Sequence, residues 1–149
     1  MKARYDTFTL LINKASRNIR RIKTEETYEL NLKSPHVSCL YYMYKNANPM
    51  TAKELCDICD EDKASISRSI DYLERNNYIS CESKTEKRYK SPLTLTEKGI
   101  QASKIIAKKI DDIVDIAGAG LTEENRKIFY ESLALISNNL QTFCDKKYK

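Results

Sequence analysis

The amino-acid sequence predicts a mainly α-helical protein that contains one short β-hairpin. Apolar residues recur at helical spacing along most of the chain, and residue types that start helices precede several of these stretches. One segment near the middle instead alternates as β-strands do. The 149 residues are 41% hydrophobic and 32% charged, a composition that suits one compact domain with a buried core. We therefore expect a single domain over residues 1–149.

Two helices are expected in the first third of the chain. The first, over about residues 5–23, has apolar residues at helical spacing at Phe8, Leu11, Ile12, Ala15, Ile19 and Ile22. In the second, Ser34 is expected to be the N-cap, with Pro35 at the first helical position. Pro49 follows Asn48 and is expected to end this second helix.

The next two helices are short and joined by a polar turn. Thr51 and Glu54 form a capping-box pattern, because each side chain can bind a backbone amide that the first helical turn leaves unpaired. The third helix then runs through TAKELCDIC. After the turn DEDK, Asp62 is expected to cap a fourth helix, whose apolar face carries Ile66, Ile70 and Leu73.

A β-hairpin is expected after the fourth helix. The segments YISCES and SPLTLT are rich in β-branched residues and partly alternating, and the charged segment KTEKRYK lies between them. Pro92 has no amide donor, so it belongs at an edge or at the start of the return strand. The tip carries four basic residues against one acidic residue, Glu86, which gives a charge of +3.

Two long helices complete the chain over about residues 97–145. Thr96 is expected to begin the first of them, which ends at Gly118 and Gly120. Thr122 is expected to cap the last helix, whose apolar residues are Phe129, Leu133, Ile136, Leu140 and Phe143.

Residues 34–96 combine these elements into a predicted winged helix-turn-helix, in which a basic hairpin follows two short helices. Ser65, Arg68, Ser69 and Tyr72 share one stripe of the fourth helix, and we expect that stripe to be exposed. Short polar side chains let a helix approach the DNA major groove closely, and an arginine there can reach guanine. The candidate DNA contacts are Lys63, Ser65, Ser67, Arg68, Ser69, Tyr72, Lys84, Lys87, Arg88 and Lys90.

The string TAKELCDICDEDKASISRSIDYLERNNYIS, followed by a charged wing and LTLTEKG, resembles the MarR family of bacterial transcription regulators. The resemblance extends over about residues 5–145. It implies a homodimer held by the first helix and the last two helices, which binds double-stranded DNA at a palindromic operator, often as a repressor. The family's wing commonly carries Asp-x-Arg near its tip. The nearest match here is Glu86 to Arg88, one residue farther from LTLT, so Arg88 is the candidate wing arginine.

The resemblance also implies that a small aromatic or anionic effector binds between the dimerisation helices and the DNA-binding lobe. The candidate ligand contacts are Arg17, Arg21, His36 and Tyr41. For the two arginines, helix pairing or simple exposure to solvent is the alternative interpretation. For Tyr41 the alternative is packing in the core.

Charge and cysteine content point to a soluble protein of the cytoplasm. The net charge is +5, which fits a polyanionic partner without requiring one. No apolar run is long enough to span a membrane, and the basic, amphipathic start does not resemble a secretory signal. Five cysteines are an odd number, which favours reduced thiols over a disulfide framework.

No enzyme, metal or cofactor is expected. Cys56 and Cys59 lie at i and i+3, which permits a metal or redox site, but a structural zinc needs four ligands and the remaining thiols are scattered. Core packing is therefore favoured for this pair, and Cys39, Cys81 and Cys144 are each interpreted as isolated. Two alternative functions stay open: a thiol-based redox-sensing regulator of the same fold, and a winged-helix protein-interaction adaptor that does not bind DNA.

Overall fold

The computed structural model describes residues 4–46, 48–81 and 91–148. The architecture is mainly helical with one two-stranded antiparallel sheet, which confirms the fold class predicted from the sequence. In chain order the elements are α1 (Arg4–Glu26), a 3-10 helix (Tyr28–Leu30), α2 (Ser34–Lys45), α3 (Ala52–Cys59), α4 (Lys63–Arg75), β1 (Ile79–Cys81), β2 (Leu93–Leu95), α5 (Glu97–Ala117) and α6 (Glu123–Lys147). Within the described ranges, no helix has an apolar stretch long enough to cross a membrane.

The chain divides into two compact units, Met1–Ile110 and Asp111–Lys149. The first unit holds the hydrophobic core, to which α2, α3, α4, α5 and both strands contribute. Its largest fully buried apolar side chains are Leu40, Leu55, Ile66, Leu73, Leu93 and Ile106. Full burial of such a side chain stabilises a fold by roughly 1.5–3 kcal/mol, so this cluster is the main source of stability of the unit.

The second unit contains the end of α5 and all of α6. No residue of α6 is buried. Most of its large apolar side chains are exposed to solvent, among them Phe129, Leu135, Leu140 and Phe143. The first unit also exposes apolar side chains on α1, including Leu10, Leu11 and Ile19.

Most helix starts predicted from the sequence are confirmed by their hydrogen bonds. At α3 the Thr51 backbone amide donates to Glu54 Oε2 at 2.7 Å, and the Glu54 amide donates to Thr51 Oγ1 at 3.3 Å. The Ser65 amide donates to Asp62 Oδ1 at 2.8 Å at the start of α4. Thr96 and Thr122 accept from the third helical amide of α5 and α6 in the same way.

The predicted start of α2 is wrong by one residue. Ser34 is the first helical residue and Lys33 is the N-cap, so Pro35 occupies the second position. The physical reason is His36, whose Nδ1 accepts a hydrogen bond from the Lys33 backbone amide at 3.1 Å. This contact satisfies the backbone amide of the N-cap residue.

Polar residues in the left-handed backbone region make three of the turns. Asn31 precedes α2 with φ 54°, Asp60 ends α3 with φ 53°, and Asn77 lies between α4 and β1 with φ 59°. Asn and Asp tolerate this region better than other residues that carry a β-carbon. These turns therefore fix where α2, α4 and β1 begin.

The sheet pairs β1 with β2 in antiparallel register, with Ile79 opposite Leu95 and Cys81 opposite Leu93. Pro92 immediately precedes β2, as its missing amide donor requires. Met50 adds an isolated antiparallel bridge to Leu93, through hydrogen bonds of 2.8 and 3.2 Å. The predicted wing tip KTEKRYK, residues 84–90, lies outside the described residues, as do residues 82–83 of the predicted first strand.

Candidate nucleic-acid interface

The helix-turn-helix is held by packing and by a tightly bonded turn. Leu55 of α3 and Ile66 of α4 are both fully buried in the shared core. In the turn between the helices, the Glu61 amide donates to the Cys56 carbonyl at 3.3 Å, and Asp60 reverses the chain. The start of α4 is therefore fixed relative to α3 by both backbone and side-chain contacts.

The fourth helix has one buried face and one exposed face. Ile66, Ser69, Ile70 and Leu73 are buried. The exposed face carries Lys63, Ala64, Ser67, Arg68 and Arg75. Side chains on its first two turns are short except for those of Lys63 and Arg68, so the helix can approach a groove closely and extend a cation from that face.

The predicted exposed stripe is only partly at the surface. Arg68 is exposed and Ser65 is half-buried, but Ser69 is only 2% exposed and donates from Oγ to the Ser65 carbonyl at 2.9 Å. The expectation that Ser69 is exposed is wrong. Ser69 follows Ile66 by three residues and precedes Leu73 by four, so the helical period places it on the apolar face. Ser67, another candidate DNA contact, is exposed.

Tyr72 is half-buried, and both ends of its side chain contact other parts of the protein. Its ring stacks on His36, with centroids 4.2 Å apart and planes 6° from parallel. Its hydroxyl donates to the Asn31 carbonyl at 2.5 Å. Tyr78 makes a similar bond to the Leu30 carbonyl at 3.1 Å. These two tyrosines tether the segment before α2 to α4 and to the start of β1.

The candidate ligand contacts lie in different environments. Arg17 and Arg21 are exposed on one face of α1. His36 is 8% exposed and occupied by the stack with Tyr72, while Tyr41 packs against the core, with its ring edge on Tyr42. An open groove of about 510 Å³ lies between α2 and α3, lined by Tyr42, Lys45, Asn46, Met50, Glu54, Asp57 and Ile58. None of the four candidate ligand contacts lines this groove.

The base of the hairpin is fixed by side-chain hydrogen bonds. Ser80 Oγ and Thr94 Oγ1, on opposite strands, are 2.8 Å apart. Thr96 Oγ1 donates to the Asn77 carbonyl at 2.6 Å, which ties the start of α5 to the end of α4. The candidate wing contacts Lys84, Lys87, Arg88 and Lys90 lie outside the described residues.

The thiols of the first unit pack mainly in the core. Cys56 and Cys59 are partly buried against the core, in agreement with the favoured interpretation. Cys39 is fully buried and donates a hydrogen bond to Cys59, so the expectation that Cys39 is isolated is wrong. This bond and burial raise the pKa of Cys39, and the same bond lowers the pKa of Cys59. In the described ranges no three potential metal-ligating side chains form a cluster.

Arg75 is an exposed basic residue of α4 that is not among the candidate contacts predicted from the sequence. It follows Arg68 by seven residues, so the two lie on the same side of the helix, two turns apart. The seven-residue spacing between Arg68 and Arg75 is the feature of the sequence that could have identified Arg75 as a candidate contact.

The central part of the chain matches a known protein family. Residues 30–88 match the MarR family model, a range that begins before α2 and extends beyond β1. Curated proteins, by contrast, yield no match to the chain.

Solved structures of similar fold include MarR proteins and a complex with DNA. A MarR protein from Peptoclostridium difficile has a TM-score of 0.85 and 20% identity, covering 98% of this chain and 95% of that one. The Staphylococcus aureus MepR–DNA complex has a TM-score of 0.80 and 16% identity, covering 93% and 99%. S. aureus MarR in complex with salicylate and kanamycin has a TM-score of 0.79 and 17% identity, covering 95% of each chain. The resemblance predicted from the sequence is confirmed by the family match and by this shared fold.

Proposed function

We propose that this protein is a sequence-specific DNA-binding regulator of the cytoplasm. Its residues 30–88 match the MarR family model, and its fold is that of MarR-family transcription regulators. It acts as a homodimer on a palindromic operator and has no enzymatic activity. The observation that carries the proposal is the exposed face of α4, where Ser67 and Arg68 lie on a helix whose opposite face is packed into the core.

The chemistry of this face suits DNA. A serine is short enough to let the helix backbone approach the phosphates, to which its hydroxyl can donate. An arginine carries a planar fork of donors that matches the O6 and N7 acceptors of guanine in the major groove. Arg68 is therefore assigned to base contacts, and Ser67 with Lys63 to backbone contacts. The basic wing residues, Arg88 among them, are assigned to phosphates or the minor groove.

Exposed apolar surface supports the homodimer. Leu140 and Phe143 of α6 are each 53% exposed, and α1 carries further exposed leucines. Apolar patches of this kind are normally covered by a partner. A second copy is the proposed partner, because a palindromic site requires two identical readers related by a two-fold axis.

Control by a small effector is also proposed. The S. aureus MarR structure named above holds salicylate, a small aromatic anion. The exposed Arg17 and Arg21 of α1 supply cations for an anion of that class, and the operator-bound dimer would need to bind it less tightly than the free dimer does. Screening weak aromatic acids for an effect on operator affinity tests this part by itself.

A thiol-responsive regulator is the second candidate. The hydrogen bond between Cys39 and Cys59 favours it, because the lowered pKa of Cys59 raises its thiolate fraction. Hydroperoxide should then change operator affinity in the wild type but not in Cys59→Ser. If both respond equally, this candidate is wrong.

Selection of bound duplexes from a random pool tests the main proposal. We expect an inverted repeat whose half-sites are spaced by about one helical turn. Affinity for the selected duplex should decrease steeply with salt, because phosphate contacts release counterions. Recovery of no preferred sequence, with no salt-dependent binding, would leave a winged-helix adaptor as the better interpretation.

A further inference from the structure

His36 and Tyr72 form the contact between the start of α2 and the candidate recognition helix. The two rings are nearly parallel, with a 6° angle between their planes and 4.2 Å between centroids. His36 is 8% exposed. Its Nδ1 accepts a hydrogen bond from the Lys33 backbone amide at 3.1 Å, which fixes the ring plane. Nδ1 of His36 therefore carries no hydrogen, because it is the acceptor in this bond.

Tyr72 transmits this contact to the DNA-facing side of α4. It follows Arg68 by four residues, so the two side chains occupy adjacent turns of the same helix. Its hydroxyl donates to the Asn31 carbonyl at 2.5 Å. The ring and the hydroxyl together attach the C-terminal half of α4 to the segment that precedes α2. A change at His36 therefore reaches the turn that carries Arg68.

Protonation of His36 would break this arrangement. Protonated Nδ1 would point a hydrogen at the Lys33 amide, which is itself a donor. The added charge would also lie in the first turn of α2, where the helix dipole disfavours a cation. In the described part of the chain, two ionisable residues lie against the His36 ring. The positive charge of Lys33, just before α2, disfavours protonation of His36, and the ring of Tyr72, from α4, stacks on it.

The direction of the pH effect follows from the pKa. Burial, with the charge of Lys33, lowers the pKa of His36 below its ordinary value of about 6.5. For a base whose folded pKa is lowered, the stabilising neutral contact is complete above the ordinary pKa and is lost as pH falls toward the folded value. The neutral arrangement is therefore complete at neutral pH and is lost as pH falls through the lowered pKa of His36.

We propose that His36 is a positioning residue for DNA binding: its neutral ring holds Tyr72, and through it α4, so that sequence-specific affinity decreases when His36 is protonated. This inference rests on the proposed DNA-binding function. It requires no contact between His36 and DNA, since the residue acts through Tyr72.

The test compares affinity for a selected duplex and for a scrambled duplex at constant salt, from neutral pH downward through the titration of His36. The ratio of the two affinities should fall severalfold toward the acid end. His36 is the only histidine in the sequence, so proton NMR can follow its titration directly. The midpoint of the change in the affinity ratio should coincide with the midpoint of the His36 titration.

Three variants separate the contributions of the His36 ring, of its titration and of the Tyr72 hydroxyl. His36→Phe keeps a ring for the stack but cannot titrate, and His36→Asn keeps an acceptor near the Lys33 amide but has neither ring nor titration. Both should make the affinity ratio independent of pH. Tyr72→Phe keeps the stack and loses the bond to Asn31, so it should bind more weakly but retain the pH dependence. Thermal unfolding at both pH limits shows whether each variant is folded.

Two outcomes overturn the inference. One is an equal acid response in the wild type and in whichever His36 variant is folded. The other is a change in affinity ratio whose midpoint is separated from that of the His36 titration. Failure of the proposed DNA-binding function would give a different result: the protein would bind the selected and scrambled duplexes equally at neutral pH, where His36 is neutral.

Discussion

The carbonyl oxygen of Tyr78 lies where a side chain at Gly99 would begin. A β-carbon placed on Gly99 would be 1.9 Å from that oxygen and 3.2 Å from a methyl carbon of Leu95. The first turn of α5 therefore packs directly on the backbone between α4 and β1. Thr96 reinforces the contact, because its Oγ1 also donates to the Tyr78 carbonyl at 3.1 Å.

Gly99→Ala should destabilise the protein. The obstructing atom belongs to the backbone, so α5 must move away from Tyr78, and overpacking of this kind costs about 1–3 kcal/mol. The melting temperature should fall by several degrees. Gly118→Ala is the matched control, because its β-carbon meets only the flexible end of Arg126. Equal melting temperatures for the two variants would contradict the close packing at Gly99.

Ser67→Glu should strongly weaken DNA binding and leave the fold intact. Ser67 is exposed on α4, and exposed substitutions usually change stability by less than about 0.5 kcal/mol. A carboxylate there would repel phosphates and hold the helix away from the groove, so affinity should drop roughly tenfold or more on every duplex. Asn138→Glu, which adds the same charge at an exposed position on the side of α6 opposite Leu140 and Phe143, is the control. Equal losses in both variants would mean that overall charge, rather than contact at α4, governs binding.

Local patterns account for the elements that the sequence predicted correctly. The capping box of Thr51 and Glu54, and the caps at Asp62 and Thr122, depend on atoms three residues apart, so their geometry is written in the local sequence. Helical periodicity likewise identified the six α-helices of the described ranges, because apolar residues recur at helical spacing along one face of each helix.

Contacts between distant residues account for what the sequence did not predict. The bridge from Met50 to Leu93 and the stack of His36 on Tyr72 join residues far apart in the chain, and no local pattern marks them. Ser69 was assigned to the exposed face because serine is polar. The helix buries it all the same, since its hydroxyl can bond to the Ser65 carbonyl within the same helix.

Leu140→Asp should weaken the homodimer. The side chain is 53% exposed in the single chain, so the fold of α6 does not depend on it. If a second copy covers this position, the change places a charge in an apolar interface twice, once from each subunit. Sedimentation at micromolar concentration should show a dimer for the wild type and a shift toward monomer for the variant.

Asn138→Asp is the control for this experiment, because it adds the same charge at an exposed residue on the side of α6 opposite Leu140. It should sediment as the wild type does, because Asn138 lies on the opposite side of the helix from Leu140 and Phe143. A wild type that sediments as a monomer would refute the dimer outright.

Arg68→Ala and Arg88→Ala should weaken DNA binding in different ways, because the two residues are assigned to different parts of the DNA. Removal of a base contact made by Arg68 should cost about 1–3 kcal/mol on the selected duplex and little on a scrambled one, so sequence discrimination falls. Removal of a phosphate or minor-groove contact made by Arg88 should weaken both duplexes alike. It should also reduce the slope of log affinity against log salt by about one for each phosphate that the protein no longer neutralises.

Affinities measured over a range of salt, for both duplexes and both variants, separate these effects. Because Arg68 is exposed on α4, its replacement should leave the fold intact, and a melting curve checks this. Indistinguishable losses for Arg68→Ala and Arg88→Ala on the two duplexes would contradict the division of labour between the helix and the wing. A loss of discrimination with Arg88→Ala alone would instead assign base recognition to the wing, because only a residue that contacts bases or senses groove shape can distinguish one sequence from another.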